Sequence, residues 1–286
     1  MVAVSGTLFV VGTPIGNLGD LSDRARSALA SVGVVAAEDT RRTGRLLKGF
    51  RATPRLVSFF EGNETQRVPE LVKLLDEGGD VALVTDAGMP SVSDPGYRLV
   101  AACVDAGISV DVIPGPSAVT TALVLSGLPT DRFVFEGFLP RSGRARSDRL
   151  AALALEPRTI VLFESPRRLV ATLKDMNAAL GERRAVVCRE LTKLHQEVLR
   201  GSFMTLVNEM EGRELKGEIT LVIEGESAGA VSGGIEDAVA IARKDMNDGA
   251  RPREAAKRAA RATGLSASAI YAAVVGAPGS SKPTSA

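Results

Sequence analysis

Three times in its first 126 residues the chain runs an apolar, β-branched stretch into a Gly- and Pro-rich loop and then into a helical pattern. TLFVV (7–11) leads into GTPIGNLGD (12–20), DVALVT (80–85) into TDAGMPSVSDPG (85–96), and SVDVIP (109–114) into IPGPSA (113–118). Strands alternating with helices predict an α/β fold. In an open α/β sheet, ligands bind outside the carboxyl ends of the strands, where all three loops would lie. Asp94 is placed to cap the next helix with Pro95 at its first position, and Pro116 to open another.

Further strands are expected at VGVVAAE (32–38), RFVFEGF (132–138), TIVLFE (159–164), RAVVCRE (184–190) and EITLVIEG (218–225). Helical patterns cover 22–31, 66–77, 95–106, 116–126, 146–155, 166–180 and 236–247. The second half has longer, more polar connections and reads as a mixed sheet. The expected division is an α/β domain over 1–117, a second over 118–226, and a helical piece over 235–276. SAGAVSGG (227–234) reads as a linker and 277–286 as a disordered tail. In the helical piece, Gly249 and Gly264 suit C-terminal caps and Ser266 an N-cap, giving three short helices with a helix-turn-helix cadence.

The loops' charge narrows the ligand. Residues 12–20, 85–96 and 113–118 contain no Lys or Arg, and Asp20, Asp86 and Asp94 are their only ionised side chains. A triphosphate loop would want a lysine among its glycines. These loops suit a neutral or cationic ligand with hydroxyls, such as a sulfonium nucleoside. The competing reading is that glycine and proline merely shape tight turns. Net charge is +1, so any polyanion must meet a local patch. With one histidine, His195, and two distant cysteines, Cys103 and Cys188, no metal site is expected. No apolar run approaches the ~20 residues of a membrane span. A cytoplasmic protein fits these features.

Two charged segments are candidates for chemistry. AAEDTRRTGRLL sets Glu38 and Asp39 at a strand end with Arg41, Arg42 and Arg45 close behind, a mix that could both activate a hydroxyl and grip phosphates. The alternative is a helix start with acidic residues in its first turn. RELTKLHQE supplies Glu190 and Lys193, or else a solvated charge run. Asn63 and Glu64 are either polar site groups or a turn. RNA contacts are expected from Arg141, Arg144 and Arg146 in a basic loop, and from Lys257 and Arg261 on one helix face.

Seven blocks occur in order: GTPIGNLGDL, VVAAEDTRRTGRLL, VALVTDAGMPSVSDPGYRLV, IPGPSAVTTALVLSGLPTDRFVFEGFLPR, FESPRRL, RELTKLHQE and GEITLVIEG. Over about residues 7–225 the chain resembles the ribosomal RNA small-subunit methyltransferase I family, within the tetrapyrrole methylases. The helical piece resembles that family's small appendage. The resemblance implies two α/β domains with S-adenosylmethionine between them, usually in a homodimer. It also implies methylation of the ribose 2′-oxygen of a decoding-site cytidine in 16S ribosomal RNA, within the small subunit. Position by position, cofactor contacts would fall on Pro14 and Gly16, on Asp86, Ala87, Gly88 and Met89, and on Gly115, Pro116, Ser117 and Ala118. Met89 stands where Thr is usual, and Phe163 and Arg167 where Tyr and His are common. FFEGNE (59–64) lacks a histidine often found there. The alternatives are a methyltransferase of small tetrapyrrole-like metabolites, which needs no basic loop, and a helix-turn-helix regulator sensing a nucleoside.

Overall fold

The computed structural model describes residues 5–226, 235–263 and 265–275. The chain folds as two five-stranded sheets, each covered by helices, followed by three helices. The first half runs β1 (Thr7–Val11), α1 (Asp23–Ser31), β2 (Val34–Ala37), α2 (Thr40–Lys48), β3 (Arg55–Ser58), α3 (Glu64–Asp76), β4 (Val81–Val84), α4 (Tyr97–Asp105) and β5 (Ser109–Ile113). Its sheet is wholly parallel, in the order β3-β2-β4-β1-β5. Every residue of β2 and β4 is buried, as a parallel strand covered on both faces requires. Ala25, Leu29 and Leu47 of α1 and α2 cover one face. Leu71, Leu75, Leu99 and Cys103 of α3 and α4 cover the other.

The second half runs α5 (Ala118–Ser126), β6 (Phe133–Phe138), α6 (Gly143–Ala154), β7 (Thr159–Glu164), α7 (Leu169–Leu180), β8 (Arg184–Arg189), β9 (Glu197–Ser202), α8 (Phe203–Met210) and β10 (Ile219–Ile223). Its sheet is mixed, β6-β7-β10-β8-β9, parallel only between β6 and β7. Helices α6, α7 and α8 bury Leu150, Leu173, Met176 and Phe203 on one face. The opposite face presents Val161, Val186, Cys188 and Val222 to Val119, Ala122 and Leu123 of α5 and to Ile15 of the first loop. That shared core fixes the two halves against each other. Each fully buried Val, Leu or Ile there contributes roughly 1.5–3 kcal/mol.

Several boundaries depart from the sequence reading. Strands β3 and β9 were not anticipated. Each is an edge strand with only two apolar residues, RLVS and EVLRGS, so its apolar signal is weaker than that of the edge strands β5 and β6. Helices α2 and α8 were also missed as helices. In α2, Asp39 accepts the Arg41 N–H as N-cap, so the segment is a helix start as the alternative reading has it, but with its acidic residues before the first turn and none within it. Helix α4 starts at Tyr97 behind Gly96 (φ +137°), so neither Asp94 nor Pro95 opens it. Helix α5 starts at Ala118 behind Ser117, two residues after Pro116.

The C-terminal piece folds as α9 (Ile235–Asn247), α10 (Pro252–Thr263) and α11 (Ala267–Val275) around a small core of Ala238, Ala242, Ala255, Ala259 and Ile270. Gly249 takes φ +94°, and its N–H donates to the Met246 carbonyl beyond the end of α9. Ser266 directly precedes α11. The expected linker, the tail, Gly264 and the Arg261 side chain lie outside the described residues.

Candidate active site between the two sheets

The three loops meet at the carboxyl ends of β1, β4 and β5. Thr13 and Gly88 exchange backbone hydrogen bonds of 2.9 and 3.1 Å, and the Thr13 hydroxyl donates to the Thr85 carbonyl. Gly88 has φ +81°, which only glycine adopts without strain. Gly12 and Gly115 press backbone to backbone. A Cβ on Gly12 would lie 2.6 Å from the Gly115 nitrogen and from the Met89 sulfur. Farther along the first loop, Gly16 packs on Lys193 and Thr192 of the second half.

Between the halves lies a cleft of about 400 Å³. Asp86, Ala87, Gly88, Met89, Ser117 and Ala118 line it, as do Ile15, Glu38 and Asp94. Gly115, packed on Gly12, and Pro116 are not part of this lining, while Pro14 faces a neighbouring cavity. The second half closes the cleft with Phe138, Phe163, Glu164 and Glu218. Phe163 stacks edge-on to Phe135 at 5.0 Å. A ring serves that contact without the hydroxyl that Tyr would bring.

Carboxylates dominate the rim. Asp86 accepts the Asp39 N–H at 3.2 Å and pairs with Arg42 at 3.1 Å, while its own N–H donates to Glu38 at 3.1 Å. Burial raises the Glu38 carboxyl, opposed by the Asp86 N–H. Asp94 is pushed up to about 7, by burial first and then by the Glu38, Asp86 and Glu218 carboxylates. Asp94 does not cap α4 but lines the cleft with Asp86, as the reading of these loops as a seat for a cationic ligand expects.

The structure separates the four catalytic candidates. Glu38 reaches the cleft. Asp39 turns to Arg41, whose guanidinium bonds hold its carboxyl well below the usual range. Glu190 and Lys193 form an ion cluster with Glu218, at 2.8 and 3.2 Å from Lys193 Nζ. Burial works against both charges, but the pairing keeps Lys193 above and Glu190 below their ordinary values. Lys193 is therefore a poor proton acceptor. Glu190 (φ +53°) and Thr192 (φ +65°) are held in left-handed backbone, like Ser91 (φ +71°) and Ser93 (φ +62°) across the cleft. Strain of this kind persists only where surrounding structure imposes it.

Asn63 and Glu64 are structural. Asn63 accepts the Phe60 N–H, and buried Glu64 accepts the Gly96 N–H at 2.7 Å, tethering the end of the second loop. Of the basic residues, Arg41, Arg141, Arg144 and Lys257 are exposed. Arg146 is not available to RNA, because it turns inward to Asp175, Thr172 and the Pro140 carbonyl. Arg146→Lys is expected to cost about 1 kcal/mol of stability and leave RNA affinity unchanged. Denaturant unfolding and RNA titration of the same variant check this.

The model for Tetrapyrrole (Corrin/Porphyrin) Methylases matches residues 7–207. The chain belongs to the tetrapyrrole methylase family. Within it, the chain is a member of the ribosomal RNA small subunit methyltransferase I group. A protein of that name from Mycobacterium tuberculosis is 49% identical over 275 residues, 95% of each chain. One from Thermotoga maritima is 50% identical over 77% of this chain and 99% of its own. Among solved structures, a uroporphyrin-III-C-methyltransferase from Thermus thermophilus has a TM-score of 0.56 at 24% identity, covering 77% and 94%. The same enzyme type complexed with S-adenyl homocysteine scores 0.54 at 19% identity, covering 77% and 97%. These two share the fold.

Proposed function

We propose that this chain transfers the methyl group of S-adenosylmethionine to the ribose 2′-oxygen of a decoding-site cytidine in 16S ribosomal RNA. The observation that carries the cofactor is the cleft itself, with Glu38, Asp86, Asp94 and Glu218 on its rim and no Lys or Arg in its three loops. Such a donor set suits a cationic sulfonium with hydroxyls and an amino group. Ile15, Ala118, Val119 and Met89 offer apolar contact for an adenine. The names of the relatives support an RNA acceptor, as do the arginines of α2 beside the cleft.

The cofactor supplies an electrophilic methyl group. The protein aligns the acceptor in line with it, which can contribute ~7–11 kcal/mol when geometry is good. With the cofactor held by these residues, methyl transfer to the acceptor would require its hydroxyl proton to leave. Glu38 is placed to accept it, since burial makes its carboxylate more basic. Asp86 fixes the backbone before Asp39 and keeps Arg42 against the cleft. We assign residues 1–117 and 118–226 as the two cofactor-embracing domains and the helical piece as an RNA-binding appendage. A homodimer acting in the cytoplasm on the small subunit completes the reading. Exposed Val112 on edge strand β5 and Val124 on α5 offer apolar surface to a second copy.

The test is tritium transfer from labelled S-adenosylmethionine to undermethylated small subunits, their deproteinised RNA and a tetrapyrrole mixture. Label mapped to 2′-O-methylcytidine is the expected result. Label confined to the tetrapyrrole pool would replace this reading with the metabolite one.

A further inference from the structure

A second cavity, of about 540 Å³, opens between the first loop and α2. It shares a wall with the cleft, because Arg42 and Asp86 line both. The rest of its lining is of two kinds. Arg45 is exposed and forms no ion pair among the described residues, whereas Arg42 is already committed to Asp86. Leu18 stands 68% exposed on the opposite side, with Leu46 partly buried nearby.

We propose that this cavity seats the target nucleotide of the RNA, drawn out of its stack, with Arg45 on its phosphate and Leu18 and Leu46 against its base. The inference rests on the RNA reading above and deepens it. The reacting oxygen must come within about 3–3.5 Å of the methyl group. The cleft is lined from both halves of the chain, so a ribose must enter between them to reach the methyl group. Enzymes facing that problem extrude the nucleotide into a pocket. A cavity of several hundred Å³ is the size such ligands occupy. A free cation together with apolar surface matches the phosphate and base of a nucleotide, and the Arg42–Asp86 wall shared with the cleft brings its ribose next to the cofactor site.

The test uses the full chain, with 16S RNA as acceptor and labelled S-adenosylmethionine as donor. Arg45→Glu is expected to raise the KM for RNA by roughly tenfold or more, the scale of a lost charged hydrogen bond. Leu18→Ala, at an exposed position where folding is not at risk, is expected to raise it severalfold. Cofactor Kd should move less than twofold in both. Lys73→Glu on α3, across the first sheet from α2, makes the same change in net charge and is the control. If Arg45→Glu and Lys73→Glu weaken RNA use equally, the nucleotide seat is overturned and only general electrostatics remains. If the unaltered chain labels no RNA at all, the functional reading falls, and this proposal falls with it.

Discussion

Gly12→Ala is expected to reduce methyl transfer by about 100-fold or more while the fold survives. The added methyl would sit 2.6 Å from the Gly115 nitrogen and 2.7 Å from its Cα. Backbone cannot rotate aside as a side chain can, so the first and third loops must separate. Overpacking of this kind costs typically ~1–3 kcal/mol, against a total stability of about 5–15 kcal/mol. Most molecules stay folded, and the melting temperature falls by a few degrees. Catalysis is far less tolerant, since a displacement of about 1 Å can cost ~100-fold. The same separation would pull Met89 and the Thr13–Gly88 pairing out of place. Single-turnover transfer at saturating cofactor, with thermal unfolding on the same sample, measures both effects. Gly33→Ala is the matched control, because a Cβ there meets nothing within 4 Å. Equal activities for the two variants would mean that the loop packing is irrelevant to the site.

What could be read beforehand follows the physics of each feature. The buried strands β1, β2, β4, β7, β8 and β10 announce themselves as apolar runs, because both of their faces must be dry. The loops announce themselves through glycine and proline, which few other backbone settings demand. Strands β3 (RLVS) and β9 (EVLRGS) do not, because each mixes charged or small residues with only two apolar ones and buries little of what it has. Charged residues were harder still. Asp39, Arg146 and Glu64 look like solvent-facing or catalytic groups in sequence. Only the fold shows that each is spent on a neighbour: Arg41, Asp175 and the Gly96 N–H. The second half's share of the cleft, Glu218 above all, was illegible for a related reason. Its residues come from separate elements of the chain, Glu218 being more than 100 positions beyond the second loop it faces.

Preference for the sulfonium cofactor over its neutral thioether product is expected to rise about tenfold between pH 6 and pH 8. Asp94 drives the change. Its carboxyl is ordinarily half-protonated at 3.8 and in the folded chain at about 7, so much of it is neutral at pH 6 and ionised at pH 8. The two ligands share adenosine, carboxylate and amino groups, which cancel in the ratio of their affinities. What remains is one positive charge on sulfur, whose attraction to the rim grows as Asp94 ionises. Two unit charges 4 Å apart gain about 4 kcal/mol near a protein surface. Arg42 and solvent offset much of this, and a tenfold ratio needs only about 1.4 kcal/mol. Stability moves the opposite way. Well below pH 3.8 Asp94 is protonated folded or unfolded and contributes nothing. As pH rises through 3.8 toward 7 the unfolded chain loses this proton while the folded one keeps it, so stability falls. Asp94→Asn should therefore gain roughly 1–2 kcal/mol at pH 8, discounted for partial exposure, and close to nothing at about pH 2.5. Calorimetric titration of both ligands at three pH values, in the unaltered chain and in Asp94→Asn, decides the matter. A flat ratio in the variant assigns the effect to Asp94. An unchanged slope would transfer it to Glu38, the other rim carboxyl that burial raises.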